Sequence, residues 1–306
     1  MQWHTEMGER MLLDAMEPHA RFALVVSANH SLIDGHDFYR LHKMLSSDAP
    51  VAALDPARRQ EIPGQILASM GGEPSLMARC PPGFLFRFLS SQMINYLFPA
   101  TKACGFYVSP KWIAAQKQKN HSLLLQDSGV YDPPWISSND ILCSSFCALT
   151  ACDVAMVNVN FRGRVAGLHD QHVGNYEDLL CLTPGDYHSP CLIRKSVSGC
   201  GHGGFARAGE PLQGLPSNFQ HASGATYAAV TNWETFAAPL ALAGCAQELH
   251  LPLFDFKQST PARALSVMVI FKPSEGKLGV MVAGKRDLIE AVMASDMVDA
   301  PLDVDM

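Results

Sequence analysis

Arg21-Phe22-Ala23-Leu24-Val25-Val26-Ser27-Ala28-Asn29-His30-Ser31-Leu32-Ile33-Asp34-Gly35 decides how this chain is read. Phe22 to Val26 is an apolar run ending in two β-branched residues, which predicts a buried strand. His30 falls at the strand's end, where a turn can present its ring to a cavity. Histidine has the unperturbed pKa nearest neutrality, so it can take a proton from a hydroxyl or amine at working pH. Asp34 is near enough to brace the turn through a charge pair, and Gly35 lets the backbone bend tightly. Beyond it, Phe38, Leu41 and Leu45 recur at helical spacing with Arg40 and Lys43 off that face, which predicts a helix. His-x-x-x-Asp alone occurs by chance in many chains; the strand before it and the helix after it make it a candidate site.

Composition bounds what surrounds this stretch. The 306 residues can bury a sizeable core, and their length suits two domains or one large one. With 48% apolar and 17% charged residues the chain is globular rather than disordered. The net charge of −6 comes without a dense basic run, which argues against nucleic acid as a partner. No apolar run reaches membrane-spanning length. Gly83 to Phe98 comes nearest, but Arg87 and Asn95 interrupt it and predict a buried amphipathic helix. The first residues, Met1-Gln2-Trp3-His4-Thr5-Glu6, lack the pattern of a signal peptide. Nine cysteines without framework spacing read as reduced, mostly buried thiols of a cytoplasmic protein, and Cys143, Cys147 and Cys152 lie on or beside one helix. Paired metal-ligand spacing is absent, so no metal is expected. Cys200-Gly201-His202 only superficially resembles a nucleophile beside a base.

A second signal lies mid-chain. Trp135-Ile136-Ser137-Ser138-Asn139-Asp140-Ile141-Leu142-Cys143 reads as a helix start, with Ser137 or Ser138 as cap and Asp140 at the positive end of the dipole. Leu142, Phe146 and Leu149 form its apolar stripe. Val154 to Val159 follows as a short buried strand, leading into Asn160-Phe161-Arg162-Gly163-Arg164. A loop from Val165 to Val173 then closes on Gly174-Asn175-Tyr176. Together with His30-x-x-x-Asp34-Gly35, these runs resemble the BAHD acyltransferases. They belong to the CoA-dependent acyltransferase superfamily, with chloramphenicol acetyltransferases and peptide-synthetase condensation domains. In the family the mid-chain strand carries a motif near Asp-x-Arg-x-Arg; here Asn160 stands where an acidic residue is common. The resemblance implies that Asp34 is structural and pairs with Arg162 or Arg164. Physics agrees, because a buried carboxylate needs a bidentate cation.

The third signal is Thr226 to Trp233, a strand leading to a polar turn, followed by Phe254-Asp255-Phe256. In the family, such a strand precedes an Asp-Phe-Gly-Trp-Gly motif near the mouth of the CoA channel. The resemblance therefore implies that Asn232, Trp233, Asp255 and Phe256 line the channel. Lys257 and Gln258 stand where the family has Gly and Trp. Ser266–Phe271 and Leu278–Val282 predict a hairpin, and Asp287–Ala294 a helix with Leu288, Ile289 and Val292 inward.

The resemblance implies an α/β, two-domain, chloramphenicol-acetyltransferase-like fold, mixed sheets flanked by helices. Residues 1–100 are then the remnant of a first domain carrying the histidine motif, and 101–306 the second domain. Pro99–Gly105 reads as the crossover, Gly105–Ser109 as a strand and Pro110–Lys119 as a helix. Glycine-rich Ser196–Ser223 reads as a surface lid. Only 29 residues precede His30, where family members carry further strands, so the first domain is expected to be incomplete and its sheet edge exposed. The implied activity is acyl transfer from acyl-CoA, a co-substrate rather than a bound cofactor, to a small-molecule hydroxyl or amine, with His30 as general base in a monomer. Backbone N–H groups near Gly35, or the side chains of Asn232 or Ser31, are candidate oxyanion donors. A non-catalytic or truncated binding protein is the alternative. A metal site of His30, Asp34 and His36 lacks evident further ligands.

Overall fold

A computed structural model describes residues 21–69, 81–126, 135–198, 216–253 and 262–302. At the centre are the two apolar segments of the expected hairpin, β5 (Leu265–Ser274) and β6 (Lys277–Lys285), paired antiparallel. Their turn passes through Gly276 at φ +70°, where a side chain would be strained. On one flank, β4 (Tyr227–Asn232) lies parallel to β5 and β2 (Val154–Asn160) parallel to β4. β3 (Glu177–Leu182) returns antiparallel along β2. On the other flank, β1 (Thr101–Val108) pairs antiparallel with β6, and β7 (Val298–Pro301) with β1. One mixed seven-stranded sheet results, in the order β3-β2-β4-β5-β6-β1-β7.

Among the described residues the helices in chain order are α1 (Gly35–Lys43), α2 (Ile62–Ser69), α3 (Pro82–Leu97), α4 (Pro110–Gln126), α5 (Ser138–Thr150), α6 (Pro184–Tyr187), α7 (Pro190–Ser198), α8 (Asn218–Ser223) and α9 (Arg286–Met293). The largest apolar cluster lies on one sheet face. There Val157, Val159, Leu180, Leu182, Val230, Met268, Ile270, Val280 and Val282 meet Leu142, Phe146 and Cys147 of α5 and Leu288, Ile289 and Val292 of α9. The opposite face holds two smaller clusters: Phe84, Met156 and Tyr227, and then Val269, Phe271 and Met281. Between them it is only half covered, at Asn158, Leu179, Ala229, Thr231, Leu265 and Val267.

The α/β class, the hairpin, β2, β4, α5 and α9 stand where the sequence places them. α5 begins with a capping box: the Ser137 hydroxyl accepts from the Asp140 N–H, and Asp140 accepts from the Ser137 N–H. Cys143, Cys147 and Cys152 are free thiols buried among its neighbours.

Five expectations need correction. Phe22–Val26 is not a strand. It runs largely exposed and without regular structure, because no strand among the described residues offers its N–H and C=O groups a partner. α1 forms, but Phe38, Leu41 and Leu45 do not make its buried face; Asp37 and Tyr39 do. α3 forms but is not buried: Gly83, Phe84, Ser91 and Asn95 face inward, while Phe86, Leu89, Met93 and Tyr96 face solvent. Pro99–Gly105 is no crossover loop, since β1 already begins at Thr101. Of the predicted lid, the ends are helical in α7 and α8, and 199–215, with Cys200 and His202, lie outside the described residues.

Candidate active site

The motif turn is built from its carboxylate outward. Asp34 caps α1: its Oδ1 accepts from the Asp37 N–H at 3.1 Å. Its Oδ2 accepts from Arg162 Nη1 at 2.6 Å and from the Tyr176 N–H at 3.0 Å. Arg162 stands just beyond the end of β2, where the turn after Asn160 throws its side chain back under α1. It also reaches Asp37, Nη2 to Oδ2 at 2.9 Å, and that oxygen takes the Gly174 N–H at 2.7 Å. Its remaining donors go to the Asn160 side chain and to the carbonyls of His172 and Gly174. The guanidinium lies over the Tyr176 ring, 5.1 Å from its centre. All three ion-pair side chains are buried.

This arrangement turns Asp34 away from His30. The Asn29 side chain holds the Ser31 N–H, and the Leu32 carbonyl accepts from Arg58. Asn175 Nδ2 donates to the His30 carbonyl at 2.6 Å. The His30 ring projects from this turn, 70% exposed, with Nε2 3.5 Å from Glu177 Oε1. Glu177 opens β3, and its Oε2 accepts from Asn158 Nδ2 at 2.7 Å; the same amide lies 3.4 Å from Thr231 Oγ1. A polar line thus crosses three strand ends on the half-covered sheet face. Burial pushes the Glu177 carboxyl above its ordinary range, and Asp34 adds to this, while the Asn158 hydrogen bond, His30 and Arg162 pull it back.

Of the residues expected to support the site, Asp34, Gly35 and Arg162 come together with His30. Arg164 does not join Asp34; it donates to the Val197 carbonyl at 2.9 Å. Trp233 lies beneath the motif helix: a Cβ on Gly35 would stand 3.2 Å from the indole nitrogen. The Trp233 ring also packs edge-on against Tyr39. Asn232 turns elsewhere, donating to Asn139 and accepting from the Glu234 N–H. Asp255 and Phe256 lie outside the described residues. His36 sits against Asp37 and Asp170, and the carboxylates of Asp34 and Asp37 are committed to Arg162.

Reasoning from sequence missed Asp37 and Glu177. Asp37 had a signal, since a carboxylate three residues after an Asp cap is a capping pattern. Glu177 had only its place two residues after Gly174-Asn175.

No protein-family model and no curated protein matches this chain. Solved structures with a similar chain course include F. graminearum TRI101 complexed with ethyl coenzyme A (13% identity, TM-score 0.38), over 64% of this chain and 48% of that one. Vinorine synthase is similar at 12% identity and TM-score 0.41, over 72% and 59%. The first condensation domain of the CDA synthetase is similar at 15% and 0.40, over 90% and 65%. This chain therefore spans about half the length of the TRI101 structure.

Proposed function

We propose that this chain is an acyltransferase that moves an acyl group from acyl-CoA to a hydroxyl or amine, with His30 as general base. The observation that carries the reading is the motif turn itself. Asp34 is spent on Arg162 and the helix cap, which leaves its neighbour His30 presented rather than buried. The resemblance of Asn160–Arg164 and Gly174-Asn175 to the BAHD pattern supports it, because these are the segments that hold Asp34, Asp37 and His30.

In this mechanism the neutral imidazole takes the acceptor's proton as the acceptor oxygen or nitrogen attacks the thioester carbonyl. The tetrahedral oxyanion collapses, the C–S bond breaks, and the imidazolium returns the proton to the leaving thiolate. No acyl-enzyme forms, so no serine or cysteine nucleophile is required. Asn232 is a poor oxyanion donor as placed, because its amide is already given to Asn139.

One observation favours the second reading, a non-catalytic binding protein. The His30 ring is largely open to solvent, and acyl transfer needs water kept from the thioester. The purified chain with acetyl-CoA and a panel of alcohols and amines separates the two. Acylated product, followed by mass spectrometry and lost in His30→Ala, supports the enzyme. Retention on a CoA column without turnover supports the binding protein, and absence of both overturns the two readings together.

A further inference from the structure

We infer that Glu177 is a positioning residue for His30, holding the imidazole from the first position of β3; this rests on the reading of His30 as general base. The tetrapeptide Gly174-Asn175-Tyr176-Glu177 grips the motif turn at every position. The Gly174 and Tyr176 N–H groups bind the carboxylates of Asp37 and Asp34. The Asn175 amide binds the His30 carbonyl, and Glu177 lies against the His30 ring. Side chains alternate along an extended chain, so Asn175 and Glu177 fall on one side and reach the same residue, one through backbone and one through ring.

Glu177 is itself held. Its side chain is 22% exposed against 70% for His30, and Asn158, backed by Thr231, fixes its second oxygen. The flexible partner is the histidine and the rigid one is the carboxylate. An exposed imidazole without such an anchor is spread over several rotamers, most of them unproductive.

The pairing also has a chemical consequence. Glu177 Oε1 lies 3.5 Å from Nε2, close enough for charge to act on the ring. The acceptor's proton is held on the ring and leaves to the thiolate sulfur. The half-buried Glu177 carboxyl meets a positive charge on the His30 ring only when the imidazolium forms. Its attraction is therefore stronger in the transition state than in the ground state, which is the condition for lowering a barrier. The charged groups facing Glu177 are His30, Asp34 and Arg162.

The test has two arms on the full chain. In the first, the Glu177 side chain is followed by carboxyl-carbon NMR, with its resonance assigned by Glu177→Gln. His30 draws the Glu177 pKa down, so His30→Ala should move its titration midpoint upward, by about half a pH unit or more. An unchanged midpoint overturns the inference whatever the activity. In the second arm, transfer from acetyl-CoA is measured. Glu177→Gln should lower turnover about a hundredfold with the melting temperature unchanged, and Glu177→Asp should recover part of it. Full turnover in Glu177→Gln, with turnover lost in His30→Ala, overturns the inference and leaves the function standing. No turnover in the parent chain overturns the function, and the NMR arm then decides the pairing alone.

Discussion

Arg162 balances two buried carboxylates with one guanidinium, and this works because backbone supplies the rest. Asp34 takes N–H groups from Asp37 and Tyr176, and Asp37 takes one from Gly174. Asp34→Asn keeps the shape but not the chemistry. An amide nitrogen at the Oδ2 position meets two donors, Arg162 Nη1 and the Tyr176 N–H, and flipping the amide sacrifices the helix cap. We expect a loss of about 3–5 kcal/mol by urea denaturation; a loss under about 1 kcal/mol would remove this pair from the architecture. His30→Ala contrasts with it: the ring is 70% exposed, so stability should hold while acyl transfer falls by roughly two to four powers of ten. A variant that turns over acetyl-CoA at the parent rate would refute the assignment of His30. His30, Asp34 and Arg162 were legible because each carries a motif. Asp37 carried only its spacing from the Asp34 cap, and apolar periodicity hid it, because the face of α1 that goes inward holds a carboxylate paired with arginine.

α3 and α2 show what an element's environment does to the same residue. Gly83 lies in the first turn of α3 against α8, and a Cβ there would stand 2.1 Å from the Asn218 carbonyl oxygen. Gly64, in α2, has nothing within 4 Å of the same position. Gly64→Ala should therefore stabilise the chain by up to about 1 kcal/mol, the helix-propensity gain. Gly83→Ala should cost stability despite the same gain, because α3 must lift from α8 and with it Phe84 from Tyr227. Thermal denaturation of the two variants checks the pair, and equal shifts in the same direction would contradict the packing. This close approach also explains why α3 misled as a sequence. Its apolar residues run nearly all round, and the contact that seats it is a glycine against backbone. β5 and β6 were legible because apolar clusters cover both their faces, and α9 because its apolar stripe meets the main core, so pattern and burial coincide. Phe22–Val26 has the strand pattern and no strand to pair with, and pattern alone cannot supply a partner.

In the whole molecule, the segments before residue 100 meet the sheet across seams that contain histidine. Between α1 and β5, Tyr39 Oη lies 3.0 Å from His250 Nε2, and His250 Nδ1–H donates to the Lys272 carbonyl at 3.0 Å, with the His42 ring alongside. His172 lies beneath Asp55, whose backbone bridges to it. His221 sits between Phe84 of α3 and Tyr227 of β4. Burial lowers the pKa of all four, helped at His42 by the neighbouring His250 and at His172 chiefly by Arg59. The sign follows from linkage. Between each depressed value and the ordinary 6.5, the unfolded chain binds protons that the folded chain refuses, so stability is full above that window and falls as pH drops through it. Each proton taken up differentially is worth up to about 1.4 kcal/mol per pH unit. Glu177 and Asp140, whose carboxyls burial pushes up, act in the opposite sense, and the four histidines outnumber them. Urea denaturation should show stability declining from about pH 7 to about pH 5.5, and a double variant His42→Phe, His221→Phe should flatten the decline. A parent profile already flat over that range would mean that these histidines are as free in the folded chain as in the unfolded one, and that the seams are not where acid opens the molecule.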